Sequence, residues 1–104
     1  MTKKHYDHVF AKATKVAMPG FLLLARENTQ GNARLGLAIA KKQLAKAVQR
    51  NRVKRLIRES FRNTRLKNID VIALARRNLS SMSNQEISAK LEQAWRKLNH
   101  ICKE

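Results

Sequence analysis

The chain has 104 residues, 43% of them apolar, and its 23 lysines and arginines against 7 acidic residues give a formal net charge of +16. We expect a single domain over residues 1–104, and so large an excess of positive charge favours a polyanionic partner, of which nucleic acid is the commonest. No apolar run reaches membrane-spanning length and the first residues lack the apolar stretch of a secretory signal, so we expect a cytoplasmic protein without a membrane partner.

Turn signals divide the first part of the chain into a short helix and two strands. Residues 6–13 are compatible with a helix. The sequence Met-Pro-Gly at residues 18–20 indicates a turn, and the apolar FLLLARE after it predicts a strand that can pair with residues 15–18. The sequence NTQGN at residues 28–32 predicts the next turn.

The segment RLGLAIAKK, residues 34–42, alternates in the manner of a strand. Its large aliphatic side chains lie on one face and are Leu35, Leu37 and Ile39. The other face carries small residues between Arg34 and Lys42. Because small side chains allow close approach, this second face predicts either a groove flanked by Arg34 and Lys42 or a helix that packs tightly there.

The sequence AVQRNRVKRLIRESFR, residues 47–62, predicts a helix with two chemically different faces. The apolar stripe consists of Val53, Leu56, Ile57, Ser60 and Phe61. The opposite arc consists of Asn51, Lys54, Arg55, Arg58, Arg62 and Arg65. Glu59 lies one turn from both Arg55 and Arg62 and neutralises only part of this charge. Because crowded like charges oppose helix formation in water, we expect an anionic partner along this face.

The remaining segments complete a predicted α+β domain with the approximate order αβββαβα. The sequence IDVIALARR, from Ile69, predicts a buried strand that is parallel to the strand before the central helix. Ser83 and Glu86 have the spacing of a capping box that opens a last amphipathic helix. Within that helix, Trp95 is expected to anchor the core rather than to stack on a base.

The sequence contains no pattern typical of an active site. The seven acidic residues show no paired spacing for acid-base chemistry or a two-metal site, and no nucleotide-binding or hydrolase motif occurs. Three histidines and the lone Cys102 lack the spacing of a zinc site, and Cys102 is expected to be a structural thiol. We therefore expect no catalytic and no metal-binding side chains, and any chemistry should belong to a partner.

Three segments in a fixed order resemble the protein subunit of bacterial ribonuclease P, in its proteobacterial form. They are the strand RLGLAIAKK, the helix AVQRNRVKRLIRESFR with its Arg-Asn-Arg motif, and the strand IDVIALARR. YDHVF, from Tyr6 to Phe10, is similar to the family's F-x-x-V-F segment, so the resemblance covers nearly the whole chain. The chain departs from the family in three places: few residues precede YDHVF, Tyr6 replaces the more frequent phenylalanine, and a short link follows the central helix.

The resemblance implies a protein that binds a catalytic RNA subunit and helps it to remove the 5′ leader from precursor tRNA. Mg²⁺ ions, held mainly by the RNA subunit and the substrate, would assist hydrolysis of the phosphodiester, and no obligate protein partner is implied. The implied fold has two layers and joins its parallel strands by a left-handed crossover, as in ribosomal proteins and domain IV of elongation factor G. This crossover hand is opposite to the usual one.

The resemblance also implies two sets of binding residues. The contacts to the RNA subunit are Arg50, Asn51, Arg52, Lys54, Arg55, Arg58 and Arg62. The leader-binding residues, in a cleft between the first helix and the sheet, are Tyr6, Phe10, Arg34 and Lys42. Guanidinium groups suit bidentate phosphate contacts, and aromatic rings can stack on bases of any sequence. The alternative for Tyr6 and Phe10 is that both rings belong to the ordinary core.

Two other classes of protein share some of these features. A ribosomal protein or RNA chaperone would have similar size and charge, but that function gives no reason for the Arg-Asn-Arg spacing. A cationic amphipathic membrane binder could use the central helix. The apolar stripe of this helix is needed to cover a sheet, which disfavours the membrane alternative.

Overall fold

Three helices and four strands follow one another in the predicted αβββαβα order, which confirms the α+β fold class. The computed structural model describes residues 3–28, 31–39, 46–64, 66, 68–76, 79 and 81–101. The elements are α1 (Lys3–Ala11), β1 (Thr14–Met18), β2 (Phe21–Glu27), β3 (Arg34–Ala38), α2 (Ala47–Arg62), β4 (Ile69–Ala75) and α3 (Asn84–Ile101). None of the helices in these residues is long and apolar enough to cross a membrane.

The four strands form one sheet in the order β1-β2-β4-β3. β1 pairs with β2 and β2 pairs with β4 in antiparallel fashion, whereas β3 and β4 are parallel, as predicted. In this register Arg34 of β3 is opposite Asp70 of β4, and Gly36 is opposite Ile72. Because β4 is the inner partner, β3 lies at an edge of the sheet.

The turn between β1 and β2 requires a glycine. Gly20 has φ +89°, and a Cβ atom added there would lie 2.6 Å from Met82 Sδ. Its carbonyl oxygen accepts a 2.9 Å hydrogen bond from the backbone N–H of Arg76. The predicted Met-Pro-Gly turn is thus packed against both the end of β4 and the segment before α3.

The main core lies between one face of the sheet and the two long helices. α2 contributes Val53 and Ile57, and β3 packs Leu35 and Leu37 against the same core. Trp95 of α3 is 4% exposed and its indole N–H donates a 2.7 Å hydrogen bond to Ser60 Oγ, so its predicted role as a core anchor is confirmed.

The predicted capping box at the start of α3 is present. The backbone N–H of Glu86 donates to Ser83 Oγ at 3.1 Å, and the backbone N–H of Ser83 donates to Glu86 Oε1 at 3.2 Å. Two donors that the first helical turn leaves free are satisfied in this way. The helix start is therefore well defined by its own sequence.

α1 covers part of the opposite face of the sheet. Val9 packs there with Leu24 and Ile72 in a small second core. Around it lie partly buried side chains: Tyr6, Ala13, Leu22, Ala38 and Leu74. α2 and α3 form the predicted second layer, and α1 is an additional, smaller cover for the strand face that carries the small residues of β3.

Candidate nucleic-acid interface

The charge of α2 lies on the side that faces away from the core. Val53 and Ile57, on the inner side, are 0% and 1% exposed. The exposed residues on the outer side include Asn51, Arg55, Arg58 and Arg62. The helix thus has the two faces that its sequence predicts.

The ion pair that the described residues show on the outer side of α2 is weak. Arg55 Nε lies 3.9 Å from Glu59 Oε1, and 72% and 57% of the two side chains are exposed, so water screens this pair strongly. Among the residues that the structure describes, Arg58 and Arg62 form no ion pair. Both guanidinium groups are therefore available to an external anion.

Arg52, by contrast, is directed toward the start of α3. Its Nη1 donates a 2.6 Å hydrogen bond to Asn84 Oδ1, and both terminal nitrogens lie 3.5 Å from the carbonyl oxygen of Met82. Arg52 is half-buried, as is Arg50. One arginine of the Arg-Asn-Arg motif therefore joins two helices, and its contact with RNA stays a prediction.

A cleft of about 600 Å³ lies beside the edge strand β3. On one side are the cationic residues of α2, which are Lys54, Arg58 and Arg62. Tyr6 of α1, residues 35–37 of β3 and Phe61 complete the lining. The cleft thus unites one predicted leader-binding residue with three predicted contacts to the RNA subunit, which sequence spacing alone did not reveal.

The two aromatic rings of α1 form a stacked pair. The ring centroids of Tyr6 and Phe10 are 6.4 Å apart with an interplanar angle of 25°. Phe10 is 51% exposed, which excludes the alternative that it is ordinary core. Tyr6 is half-buried, and its hydroxyl donates a 3.3 Å hydrogen bond to the carbonyl oxygen of Leu37. The ring of Tyr6, fixed by its hydrogen bond to the sheet, therefore stacks on the exposed ring of Phe10.

Arg34 makes its main contacts within the protein. Its Nε donates to Asp70 Oδ1 at 2.7 Å and its Nη2 donates to Asp70 Oδ2 at 2.8 Å, while Nη1 lies 2.8 Å from His5 Nε2. The side chain of Asp70 is fully buried and that of Arg34 is 26% exposed. Direct contact between Arg34 and the leader stays a prediction, and Lys42 lies outside the described residues.

Hydrogen bonds control the ionisation of this buried pair. Burial raises the pKa of Asp70, but hydrogen bonds from Arg34 and from Asn28 Nδ2, the latter 2.7 Å from Oδ1, outweigh it and hold the pKa below its ordinary value. The hydrogen bond with Asp70 raises the pKa of Arg34 in turn. Asp70 was not recognised as important from the sequence, although an acidic residue at the start of an otherwise apolar strand was a usable signal.

The described residues do not form a metal site of their own. No three His, Cys, Asp or Glu side chains in that part of the chain are placed to hold a metal ion. What the surface does offer is a row of guanidinium and ammonium groups, two stacked rings and a strand edge. These are the elements of a surface that binds phosphate groups and unpaired bases.

Comparison with known proteins identifies the family. The sequence model of the family described as Ribonuclease P matches residues 1–99 of the chain. The chain belongs to the ribonuclease P protein family. The ribonuclease P protein component of Legionella pneumophila (strain Corby) is 50% identical over 98 residues, which span 94% of this chain and 86% of the relative.

Solved ribonuclease P proteins have the same fold. The Staphylococcus aureus protein superposes with a TM-score of 0.81 at 29% identity, covering 89% of this chain and 87% of that one. The Thermotoga maritima protein gives 0.79 at 26% identity, covering 88% and 89%. The predicted family is confirmed: the protein is a component of the ribonuclease P ribonucleoprotein, with a role in tRNA 5′ processing and an RNA subunit as its partner.

Proposed function

We propose that the basic face of α2 binds the RNA subunit while α1 and the adjoining sheet bind the 5′ leader of precursor tRNA. The RNA-subunit contacts are Arg50, Asn51, Arg52, Lys54, Arg55, Arg58 and Arg62. The leader contacts are Tyr6 and Phe10, with Arg34 and Lys42 as secondary candidates. Both RNAs are cytoplasmic in a bacterial cell, so this function places the protein in the cytoplasm.

The cleft beside β3 carries this proposal. Arg58 and Arg62 line it without an acidic partner among the described residues, and Lys54 adds a third cation. Three adjacent cations on one helix repel one another, and a phosphodiester backbone relieves that repulsion while releasing its own counterions. An RNA strand is the partner that this charge pattern fits.

The exposed ring of Phe10 supports leader binding. It is 51% exposed and stacks on Tyr6, and Tyr6 in turn packs against the small second core of the sheet. Base stacking on an aromatic ring depends little on sequence, with a contribution of about 1 to 3 kcal/mol per base. A surface of this kind suits an enzyme whose substrates have different leaders.

Magnesium is assigned to the RNA. In this proposal the Mg²⁺ ions would be held mainly by phosphate oxygens of the RNA subunit and the substrate, since Mg²⁺ prefers oxygen ligands. The protein's cations would reduce repulsion between the crowded phosphates of the two RNAs. The protein would therefore lower the magnesium concentration that cleavage requires, without contributing a catalytic side chain.

Reconstitution tests this function. The protein is mixed with a ribonuclease P RNA subunit and a leader-bearing precursor tRNA at a magnesium concentration at which the RNA alone is nearly inactive. We expect a single cut at the mature 5′ end. A control without the RNA subunit should give no such cut, and cleavage at that position by the protein alone would overturn the proposal.

Substitutions on α1 test the leader site separately. Phe10→Ala and Tyr6→Ala should each raise KM for the leader-bearing precursor, by about fivefold or more if one stacked base is no longer held. Affinity for the RNA subunit and for tRNA without a leader should be unchanged. His8→Ala, an exposed substitution on the same helix, is the matched control. An unchanged KM for both aromatic variants would remove α1 from the leader site.

A further inference from the structure

The placement of α1 depends on few contacts. The helix has nine residues, and Val9 is the one described residue on it that is fully buried. Helices of this length are unstable in isolation, so tertiary contacts must determine where α1 lies. The two rings proposed to bind the leader are therefore carried by an element that has a small apolar anchor.

Polar contacts between described residues of α1 and the sheet supplement that anchor. The hydroxyl of Tyr6 donates to the carbonyl of Leu37, and Arg26 Nη1 donates a 2.7 Å hydrogen bond to the carbonyl of His8. The third contact joins Arg34 Nη1 to His5 Nε2 at 2.8 Å. Because a guanidinium group has no acceptor, Arg34 donates and His5 accepts.

In the third contact, the guanidinium group of Arg34 is itself held in place by residues of the sheet. Asp70 is fully buried, and both of its oxygens accept hydrogen bonds from Arg34 in a bidentate pair. Asn28 Nδ2 donates to Oδ1 as well, at 2.7 Å. A planar guanidinium fixed at two of its nitrogens has no rotational freedom left, so the direction of Nη1 toward α1 is fixed too.

We propose that Asp70, Arg34 and His5 form a positioning chain that holds α1 in register with the sheet, so that Tyr6 and Phe10 are presented to the leader. His5 immediately precedes Tyr6 on the helix. In this arrangement Arg34 acts on leader binding through α1 and need not touch RNA. The inference rests on the proposed leader-binding function of the two rings.

Of the three residues in the positioning chain, His5 can be substituted with the least damage to the core. His5→Ala removes the acceptor for Arg34 Nη1 and leaves the buried pair intact. His5→Gln keeps a side-chain acceptor that can reach Nη1, and it is the rescue variant. His8→Ala removes the same kind of side chain one turn away, where the contact with Arg26 uses the backbone oxygen and survives.

The first measurement needs no RNA. Amide hydrogen exchange of the full-length protein should show α1 protected in the wild type, in His8→Ala and in His5→Gln. In His5→Ala the protection of α1 should fall by about two- to tenfold, the effect of one hydrogen bond, while β2 and β4 keep theirs. Equal protection in His5→Ala and the wild type, or an unprotected α1 in the wild type, would overturn the proposal.

The second measurement uses the reconstituted holoenzyme. His5→Ala should raise KM for leader-bearing precursor by about two- to tenfold as well, with kcat, RNA-subunit affinity and affinity for leaderless tRNA unchanged. Arg34→Gln should raise it too, and adding His5→Ala to Arg34→Gln should cause no further increase, because both act through one hydrogen bond. If the increases in KM of the two single variants add up in the double variant, the proposed positioning chain of Asp70, Arg34 and His5 is wrong.

The two proposals fail in different ways. If Tyr6→Ala and Phe10→Ala leave KM unchanged, the leader-binding function fails, whatever α1 exchange shows. If these variants raise KM but His5→Ala changes neither α1 exchange nor KM, the leader site stands and the positioning chain is overturned.

Discussion

The indole N–H of Trp95 donates to Ser60 Oγ at 2.7 Å, and this hydrogen bond joins α3 to α2. The indole ring also meets Phe61 edge-on, with centroids 5.5 Å apart at 70°. An aromatic contact and a hydrogen bond from α3 thus stabilise α2 on the side opposite its basic face. Its orientation on the sheet depends on α3.

Trp95→Phe should lower the free energy of unfolding by about 1 to 2 kcal/mol, because the ring contact is largely kept while the hydrogen bond is removed. Urea denaturation followed by far-UV circular dichroism measures this change. Ser60→Ala removes the same bond from the other side. If the double variant is destabilised by as much as the sum of the two single variants, the two residues are not coupled and the prediction is wrong.

Arg58→Gln should weaken binding to the RNA subunit. The slope of log K against log salt should flatten by about 0.7 to 0.9 for each phosphate group that the variant no longer binds. Titration of labelled RNA at several salt concentrations gives the slope. Arg96→Gln, an exposed substitution on α3, is the control for the removal of one charge. Identical slopes for the two variants would mean that net charge, rather than the cleft, determines the affinity.

Arg52→Gln should affect both folding and RNA binding. Without its hydrogen bond to Asn84, the protein should be less stable by about 1 kcal/mol. Asn84→Ala removes the same hydrogen bond while retaining the arginine charge, so it should match Arg52→Gln in thermal stability but bind RNA more tightly. Equal RNA affinities for the two variants would assign Arg52 to helix packing alone.

Asp70 should make stability depend on pH in the acid range. Because its folded-state pKa lies below the unfolded value of about 3.9, its stabilisation is fully present above that value. The stabilisation disappears as the pH falls through the folded-state pKa. Asp70→Asn should be less stable at neutral pH by about 2 kcal/mol, less than for a fully buried pair because Arg34 is partly exposed.

Thermal denaturation between neutral and strongly acidic pH tests this expectation. The stability difference between the wild type and Asp70→Asn should narrow as the pH falls. Asp7→Asn, an exposed substitution on α1, is the control for the loss of one negative charge. A difference that stays constant at all pH values would show that Asp70 does not ionise in the way described.

Local sequence determined much of this architecture. The period of apolar residues predicted both faces of α2, the Ser83 and Glu86 spacing predicted the start of α3, and Pro19-Gly20 predicted the β1-β2 turn. Each of these signals lies within a few residues and depends on helix or turn geometry. They could therefore be read without knowledge of distant contacts.

The partners of individual side chains could not be predicted in the same way. Arg34 meets Asp70 because β3 and β4 are parallel neighbours in one particular register, which no local pattern specifies. Arg52 turns toward Asn84 because α3 returns beside α2, and Tyr6 shares a cleft with Arg58 because both elements flank the same strand edge. The sequence showed which residues could bind RNA, and tertiary contacts determine which of them already have partners.

The insertion of β4 between β2 and β3 has a consequence for biosynthesis. During translation β2 and β3 are made early, yet neither can join the complete sheet until Ile69–Ala75 has left the ribosome. Until then the cationic α2 segment has no complete sheet to pack against. During this time the nascent chain lies beside ribosomal RNA, whose phosphates attract the same positive charges. Folding is therefore tied to completion of the polypeptide, and a product that stops before Ile69 would retain the affinity for polyanions without the structure that directs it.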